Sequence, residues 1–184
     1  MILIIDCGSK KSPHISSSLT RLGQENDLVK INDTWPSLNH YRGLIISGAP
    51  ILITTIDPAP YLKKFAFLDT IEIPVLGICF GHQILGMIYG AEASRCQEER
   101  NPIRLSLDHS ELFQGIDSNA SFSEDHCEMI SLPPNFTKIA SSPDCNIEGI
   151  QHTSKSLFGV QFHPETSGKN GDLLFQNFIR ICNE

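Results

Sequence analysis

Short apolar runs alternate with amphipathic stretches along this chain. The runs lie at residues 2–5, 28–31, 43–47, 75–78 and 157–162. Their length and their β-branched residues are typical of strands that are buried on both faces of a parallel sheet. The amphipathic stretches lie at residues 12–23, 58–70, 81–90 and 171–182. Their apolar residues recur at helical spacing, as Ile15, Leu19 and Leu22 do, so each stretch predicts a helix.

The alternation of strands and helices predicts an α/β fold with an open, mostly parallel, doubly wound sheet flanked by helices, of the flavodoxin-like kind. Weaker patterns between residues 91 and 151 predict short strands, loops and one helical turn. A length of 184 residues indicates a single domain that spans residues 1–184. Ligands of such sheets bind beyond the carboxyl ends of the strands. Residues that end the apolar runs are therefore the candidates for chemistry.

Charge and hydropathy narrow the classes of partner. The chain has 14 Lys and Arg against 21 Asp and Glu, a net charge of −7, and no basic run, so nucleic acid is not an expected partner. No apolar stretch approaches the roughly 20 residues of a membrane helix, and the first residues lack the charged start of a signal peptide. We therefore expect a cytoplasmic protein with no membrane partner.

The six cysteines contain no CxxC pair, and a chain of this size does not need disulfides, so free thiols are expected. A zinc site built from His126, Cys127, Cys145 and His152 is not expected, because these residues lack the paired ligand spacing of zinc sites.

Cys79 ends the apolar run at residues 75–78, and a helical pattern begins directly after it. Gly77 and Gly81 lie two residues away on either side, as in a strand-to-helix turn that is too tight for neighbouring β-carbons. A thiol on such a turn faces the N–H groups and the positive dipole end of the helix, which favour a thiolate and an adjacent oxyanion. The pattern favours a nucleophile over a buried, inert cysteine.

A second apolar run ends in His163-Pro164-Glu165. Residues i and i+2 of an extended segment point the same way, so the imidazole of His163 and the carboxylate of Glu165 lie on one side. A histidine backed by a carboxylate is the arrangement that activates a cysteine for acyl transfer.

Together these segments resemble the two signatures of the class I, or triad, glutamine amidotransferases. The first is Gly77-Ile78-Cys79-Phe80-Gly81-His82-Gln83, and the second is Gly159-Val160-Gln161-Phe162-His163-Pro164-Glu165. The resemblance implies an enzyme that hydrolyses glutamine to glutamate and ammonia through a cysteine thioester. It implies a catalytic triad of Cys79, His163 and Glu165.

The same resemblance implies further site residues. The backbone N–H groups of Ala49 and Phe80 match the oxyanion hole of the family, and Gly48, Gln83 and His126 match residues that hold glutamine. Ala49 replaces a glycine of the family pattern, and the segment around His126 departs from the usual Ser-His-x-Asp. No metal and no cofactor are expected in this chain.

Within the family, residues 4–9, 46–50 and 136–148 are similar to the GMP synthase type. No ATP pyrophosphatase domain follows them in this chain. The resemblance therefore implies the glutaminase subunit of a two-subunit GMP synthase, which supplies ammonia to an ATP-pyrophosphatase (GMP synthetase) subunit for the conversion of XMP to GMP. ATP and magnesium belong to that partner.

Two alternatives remain open at this point. A free-standing γ-glutamyl hydrolase or peptidase would carry the same triad without passing ammonia to a partner. A degenerate, non-catalytic binding subunit is compatible with Ala49 and with the altered region around His126.

Overall fold

A computed structural model describes all 184 residues, and a large central sheet organises it. The strands are β1 (Ile2–Asp6), β2 (Asn26–Lys30), β3 (Gly43–Ile46), β4 (Val75–Ile78), β5 (Ala93–Glu99), β6 (Ile103–Arg104), β7 (Ser106–Leu107), β8 (Ser121–Phe122), β9 (His126–Ile130), β10 (Phe136–Ser141), β11 (Gly149–His152) and β12 (Leu157–Val160). The α-helices are α1 (Ser12–Arg21), α2 (Ala59–Lys64), α3 (Phe80–Ile88) and α4 (Gly168–Ile181).

The central sheet has eight strands in the order β2-β1-β3-β4-β12-β11-β10-β7. The first five strands of this order pair in parallel, which confirms the predicted open, mostly parallel sheet. The last three strands join the sheet in antiparallel pairs. The β11–β12 pair is antiparallel because only a short link joins these strands, and a short link cannot make a parallel crossover. Two small antiparallel sheets, β5-β9 and β6-β8, lie outside it.

Apolar residues of the strands pack into two hydrophobic cores, one on each face of the sheet. In β1, Ile2 and Ile4 pack with residues of α1 and α4, while Leu3 and Ile5 pack with residues of α3. All four side chains are buried. Burial on both faces is the reason that this strand is apolar throughout instead of alternating.

Most predicted elements are present, with shifted ends. Gly23 and Gly90 have φ of 79° and 91° and follow α1 and α3 closely, as expected for helix C-terminal glycines. The stretch at 58–70 forms the short α2 and then a 3₁₀ turn, and α4 begins three residues before the predicted position. The strand β9 is not among the predicted strands, because its sequence mixes polar and apolar residues without a buried run. No helix has both the length and the apolar character needed to cross a membrane.

Candidate active site

Cys79 lies on a sharp turn between β4 and α3. Its φ of 52° and ψ of −104° place it in a region that L-residues rarely adopt, and only one other non-glycine residue, Asn135, has a positive φ. A β-carbon on Gly77 would lie 2.5 Å from the carbonyl oxygen of Gly81, and one on Gly81 would lie 2.2 Å from that of Ile46. The turn therefore requires both glycines, as the sequence predicts for a nucleophile elbow.

Strand pairing brings the second predicted segment to the same place. The strands β12 and β4 are parallel neighbours, and the N–H of Cys79 donates to the carbonyl oxygen of Val160 at 2.8 Å. His163 lies three residues beyond Val160. Its Nδ1 is 2.8 Å from Oε1 of Glu165, and the two side chains are buried. Because a carboxylate only accepts hydrogen bonds, Nδ1 carries the proton, and Nε2 is free to accept the proton of the thiol.

The surroundings of His163 favour its charged form. Burial opposes the charge, but hydrogen bonding with Cys79 and with Glu165 outweighs it and raises the pKa of His163 from 6.5 to about 10. A β-carbon on Gly48 would lie 3.5 Å from Cβ of Cys79 and 3.4 Å from Cε1 of His163. Gly48 is thus in contact range of both catalytic candidates.

Two glutamines extend the site. Gln161 donates from Nε2 toward Sγ of Cys79 at 3.5 Å, and its Oε1 accepts from Nε2 of Gln83 at 3.2 Å. Gln83 is a predicted site residue, whereas Gln161 is not. A signal for Gln161 exists in the sequence: it precedes His163 by two residues, and the spacing i, i+2 puts extended residues on one side. Both glutamines are buried.

The loop after β3 carries the predicted oxyanion donor. The hydroxyl of Ser47 accepts from the N–H of Cys7 at 2.9 Å and from the hydroxyl of Ser12 at 3.0 Å, which fastens the loop to the segment after β1. The N–H of Ala49 has no hydrogen-bond acceptor in the protein. Its φ is not positive, so alanine is unstrained there. Phe80 opens α3, where the first N–H groups lack helical partners.

Part of this site opens into a cavity of about 510 Å³, whose lining does not include His163 or Gly48. Cys79, Ala49 and Gln83 line it together with charged side chains of both signs. The charged residues of the wall are Arg95, Glu98, Arg100, Asp125 and Glu128. Two cavities of similar size, about 530 and 600 Å³, contain no cysteine together with a histidine.

His126 also lines the cavity, but its ring nitrogens are directed into the protein. Nδ1 lies 3.1 Å from the carbonyl oxygen of Glu128, and Nε2 lies 3.2 Å from Oε2 of Glu124 and 3.7 Å from Oε1 of Glu148. Burial disfavours a charged ring, but the two carboxylates hold the pKa of His126 above its usual value, and burial raises that of Glu124. No local pattern in the sequence places Glu124 and Glu148 together.

Glu128, two residues after His126 in β9, holds the segment at residues 53–54 against the cavity wall. Its carboxylate accepts from the N–H of Ile53 at 2.8 Å and from the N–H of Thr54 at 2.9 Å. Two of the four residues considered for a zinc site lie apart. Cys127 lines the cavity wall, whereas Nδ1 of His152 accepts hydrogen bonds from the N–H groups of Ser154 and Lys155.

Comparisons with known proteins agree with this geometry. The model of the family described as glutamine amidotransferase class-I matches residues 3–181. A glutamine-hydrolyzing GMP synthase subunit from Methanococcus maripaludis is 35% identical over 99% of this chain and 97% of its own length. One from Pyrococcus abyssi is 30% identical over the full length of both chains. The crystal structure of a candidate GMP synthase subunit from Thermoplasma acidophilum superposes with a TM-score of 0.90 at 29% identity, covering 99% of this chain and 93% of that one.

Proposed function

Since the chain belongs to the class I glutamine amidotransferase family, we propose that it hydrolyses glutamine at Cys79 and supplies the ammonia to a synthetase subunit that makes GMP from XMP. The observation that carries this proposal is the position of Cys79. Its thiol stands on a strained turn at the start of α3, beside a His163–Glu165 pair and at the wall of a cavity.

The first step is attack of Sγ of Cys79 on the side-chain amide carbon of glutamine. His163 takes the thiol proton through Nε2, and Glu165 holds the neutral imidazole in the correct tautomer and stabilises the imidazolium that forms. The same proton then passes to the leaving nitrogen, so that ammonia departs and a γ-glutamyl thioester remains. A water molecule, deprotonated by His163, hydrolyses the thioester to glutamate and regenerates the thiol.

The negative oxygen of each tetrahedral intermediate needs donors that are already in place. We assign this role to the N–H groups of Ala49, on the loop after β3, and of Phe80, the first residue of α3. The unpaired N–H of Ala49 and the helix start at Phe80 support the assignment. Loss of one such donor typically costs on the order of 10²-fold in rate.

The cavity suits an α-amino acid with both charges. A free glutamine carries a carboxylate and an ammonium group, and the wall offers guanidinium groups and carboxylates. Arg100 is already paired with Glu98 and Asp125, whereas Arg95 makes no ion pair. We assign the α-carboxylate of glutamine to Arg95, while Gly48, Gln83 and His126 line or approach the position of its side chain.

The chemistry assigned to this chain uses no metal and no cofactor. ATP and magnesium serve the proposed partner, an ATP-pyrophosphatase subunit, which prepares XMP for attack by ammonia. The similarity to glutamine-hydrolyzing GMP synthase subunits along the whole chain supports this partner over a free-standing γ-glutamyl hydrolase or peptidase.

The test is reconstitution with a synthetase subunit. With partner, ATP, magnesium and XMP present, we expect GMP to form from glutamine and the rate of glutamate release to rise, because amidotransferases gate glutaminase turnover through a conformational step. Free ammonium in place of glutamine is the control, since it bypasses Cys79. GMP formation from ammonium but not from glutamine would reject the proposal, and an unchanged rate of glutamate release would favour the free-standing hydrolase.

A further inference from the structure

Three buried side chains converge behind the cavity wall. Glu124 lies just after β8, His126 begins β9, and Glu148 precedes β11. Each residue is at least nine-tenths buried, with 3%, 7% and 0% of its surface exposed. One ligand atom from each lies within 4.8 Å of the other two. None of the three takes part in the bond or proton transfers assigned to Cys79 and His163, although the ring of His126 lines the proposed glutamine site.

Several polar atoms of this cluster lack hydrogen-bond partners. Both carboxylate oxygens of Glu124, Oε2 of Glu148 and Nε2 of His126 make no hydrogen bond. Nε2 is 3.2 Å from Oε2 of Glu124, yet the contact is not directed as a hydrogen bond. Buried polar groups are almost always satisfied, so unsatisfied atoms on three adjacent buried side chains indicate a ligand-binding role.

The hydrogen bond on the other side of the ring fixes what His126 presents to the cluster. A carbonyl oxygen only accepts, so Nδ1, 3.1 Å from the oxygen of Glu128, carries a proton. In the neutral ring, Nε2 therefore turns a lone pair toward two carboxylates. A histidine whose Nδ1–H donates to a backbone carbonyl and whose Nε2 is free is the usual form of a metal ligand.

Two separations within the cluster are close to those around a tetrahedral ion. Zinc binds imidazole nitrogen and carboxylate oxygen at about 2.0–2.2 Å, so neighbouring ligand atoms of a tetrahedron lie roughly 3.3–3.6 Å apart. The distances from Nε2 of His126 to the two carboxylates are 3.2 and 3.7 Å. In addition, the hydroxyl of Ser142 donates to Oε1 of Glu148 at 2.8 Å, as an outer partner that orients a ligand does.

We propose that Glu124, His126 and Glu148 bind one divalent transition-metal cation, with zinc the best fit and a water molecule as fourth ligand. Two ionised carboxylates and a neutral imidazole carry a charge of −2, which a divalent cation cancels and a single proton does not. Calcium and magnesium fit poorly, since they prefer six or more oxygen ligands. From the sequence we expect no metal in this chain, and the proposed site departs from that expectation.

The proposed cation stabilises the backbone at residues 161–163 and takes no part in the reaction. The N–H of His163 donates to the carbonyl oxygen of Ser123 at 2.9 Å, and the N–H of Gln161 donates to that of Glu148 at 2.8 Å. Both carboxylate ligands are thus attached, directly or through the adjacent residue, to the backbone that holds His163. His126 links the cluster to the cavity, because its ring also lines the cavity wall.

The test is metal binding in the Cys79→Ala protein, since the active-site thiol and His163 could otherwise hold zinc themselves. Chelator-treated protein is titrated with zinc by calorimetry and with cobalt by visible absorption. We expect one equivalent to bind, a tetrahedral cobalt spectrum and a rise in Tm with zinc. Glu148→Gln and Glu124→Gln should each weaken zinc binding by more than about 100-fold, beyond the 10–100-fold typical of outer-shell losses.

Glu92→Gln, a change at an exposed carboxylate outside the cluster, is the matched control and should bind zinc like the parent. Circular dichroism and the Tm of the metal-free variants establish that each has folded. If a folded Cys79→Ala protein binds no zinc, or if Glu148→Gln and Glu124→Gln bind it as tightly as Glu92→Gln does, the proposal is wrong. The cluster is then two carboxylates bridged by a protonated His126.

Discussion

The close approach at Gly81 leads to a prediction about the geometry of catalysis. A β-carbon there would lie 2.2 Å from the carbonyl oxygen of Ile46. In proteins, β-carbons essentially never come within 3.0 Å of a heavy atom from a residue that is not adjacent in the chain. Gly81→Ala must therefore separate α3 from the end of β3 by about 0.8 Å. Those two elements carry Phe80 and the loop with Ala49, so the change widens the proposed oxyanion hole.

A misplacement of about 1 Å at reacting groups costs on the order of 10²-fold in rate. Overpacking of this kind costs about 1–3 kcal/mol of folding stability, partly offset by up to ~1 kcal/mol from replacing a helical glycine by alanine. We therefore expect Gly81→Ala to fold and to lose about 100-fold in kcat. The assay is glutamate release at saturating glutamine, with urea denaturation for the free energy of unfolding.

Gly86→Ala is the matched control in the same helix. Its β-carbon would lie 2.3 Å from Cδ1 of Ile130, the end of a flexible side chain that can turn away, and no catalytic group is involved. It should lose a similar amount of stability and keep kcat within about 3-fold of the parent. Equal kcat values for the two alanine variants would refute the link between the elbow and the oxyanion hole.

Three further predictions concern the same site. Ala49→Gly should change kcat by less than about 3-fold, because the φ of Ala49 is not positive, and a rise of ~10-fold, about 1.4 kcal/mol, would mean that the alanine distorts the hole. Because the pKa of His163 is raised from 6.5 to about 10, charged His163 adds to the folding stability fully below pH 6.5, and this contribution is lost as pH rises through about 10. Glu165→Gln should lower the pKa of His163, so denaturation curves should show the loss of stability at a lower pH. Arg95→Gln should raise KM for glutamine at least 10-fold with little change in kcat, and a reduced kcat at unchanged KM would contradict its assignment to the substrate carboxylate.

The parallel half of the fold and the meeting of Cys79 with His163 and Glu165 were predictable because each rests on local pattern. The runs that became β1, β3 and β4 are buried on both faces, so their apolar character is unambiguous. Cys79 and His163 follow two such runs, and parallel strands end at one edge of a sheet. The elbow was predictable from Gly77 and Gly81, where a β-carbon would force the surrounding backbone to shift.

The remaining features depend on contacts between distant segments that have no local pattern. The strand β9 mixes buried and half-buried residues, and its pairing with β5 has an irregular register. The cluster of Glu124, His126 and Glu148 forms only because β9 and the segment before β11 meet behind the cavity. Each of these residues alone reads as an ordinary polar position of a loop or an edge strand.

Cys79 is assigned as the nucleophile because of its turn and its neighbours, not because of exposure alone. Cys127 provides an internal comparison, since it lines the same cavity without an elbow or a triad. Burial raises the pKa of the thiols of Cys7 and Cys182 to about 12 and also raises that of Cys145.

The direct measurement is mass spectrometry of the protein after reaction with a diazoketone analogue of glutamine. We expect one adduct, on Cys79, that forms more slowly when glutamine is present, with glutamate release abolished by labelling and by Cys79→Ala. Labelling of Cys127 to the same extent as Cys79, or glutamate release by Cys79→Ala at a rate near that of the parent, would contradict the assignment of Cys79 as the nucleophile.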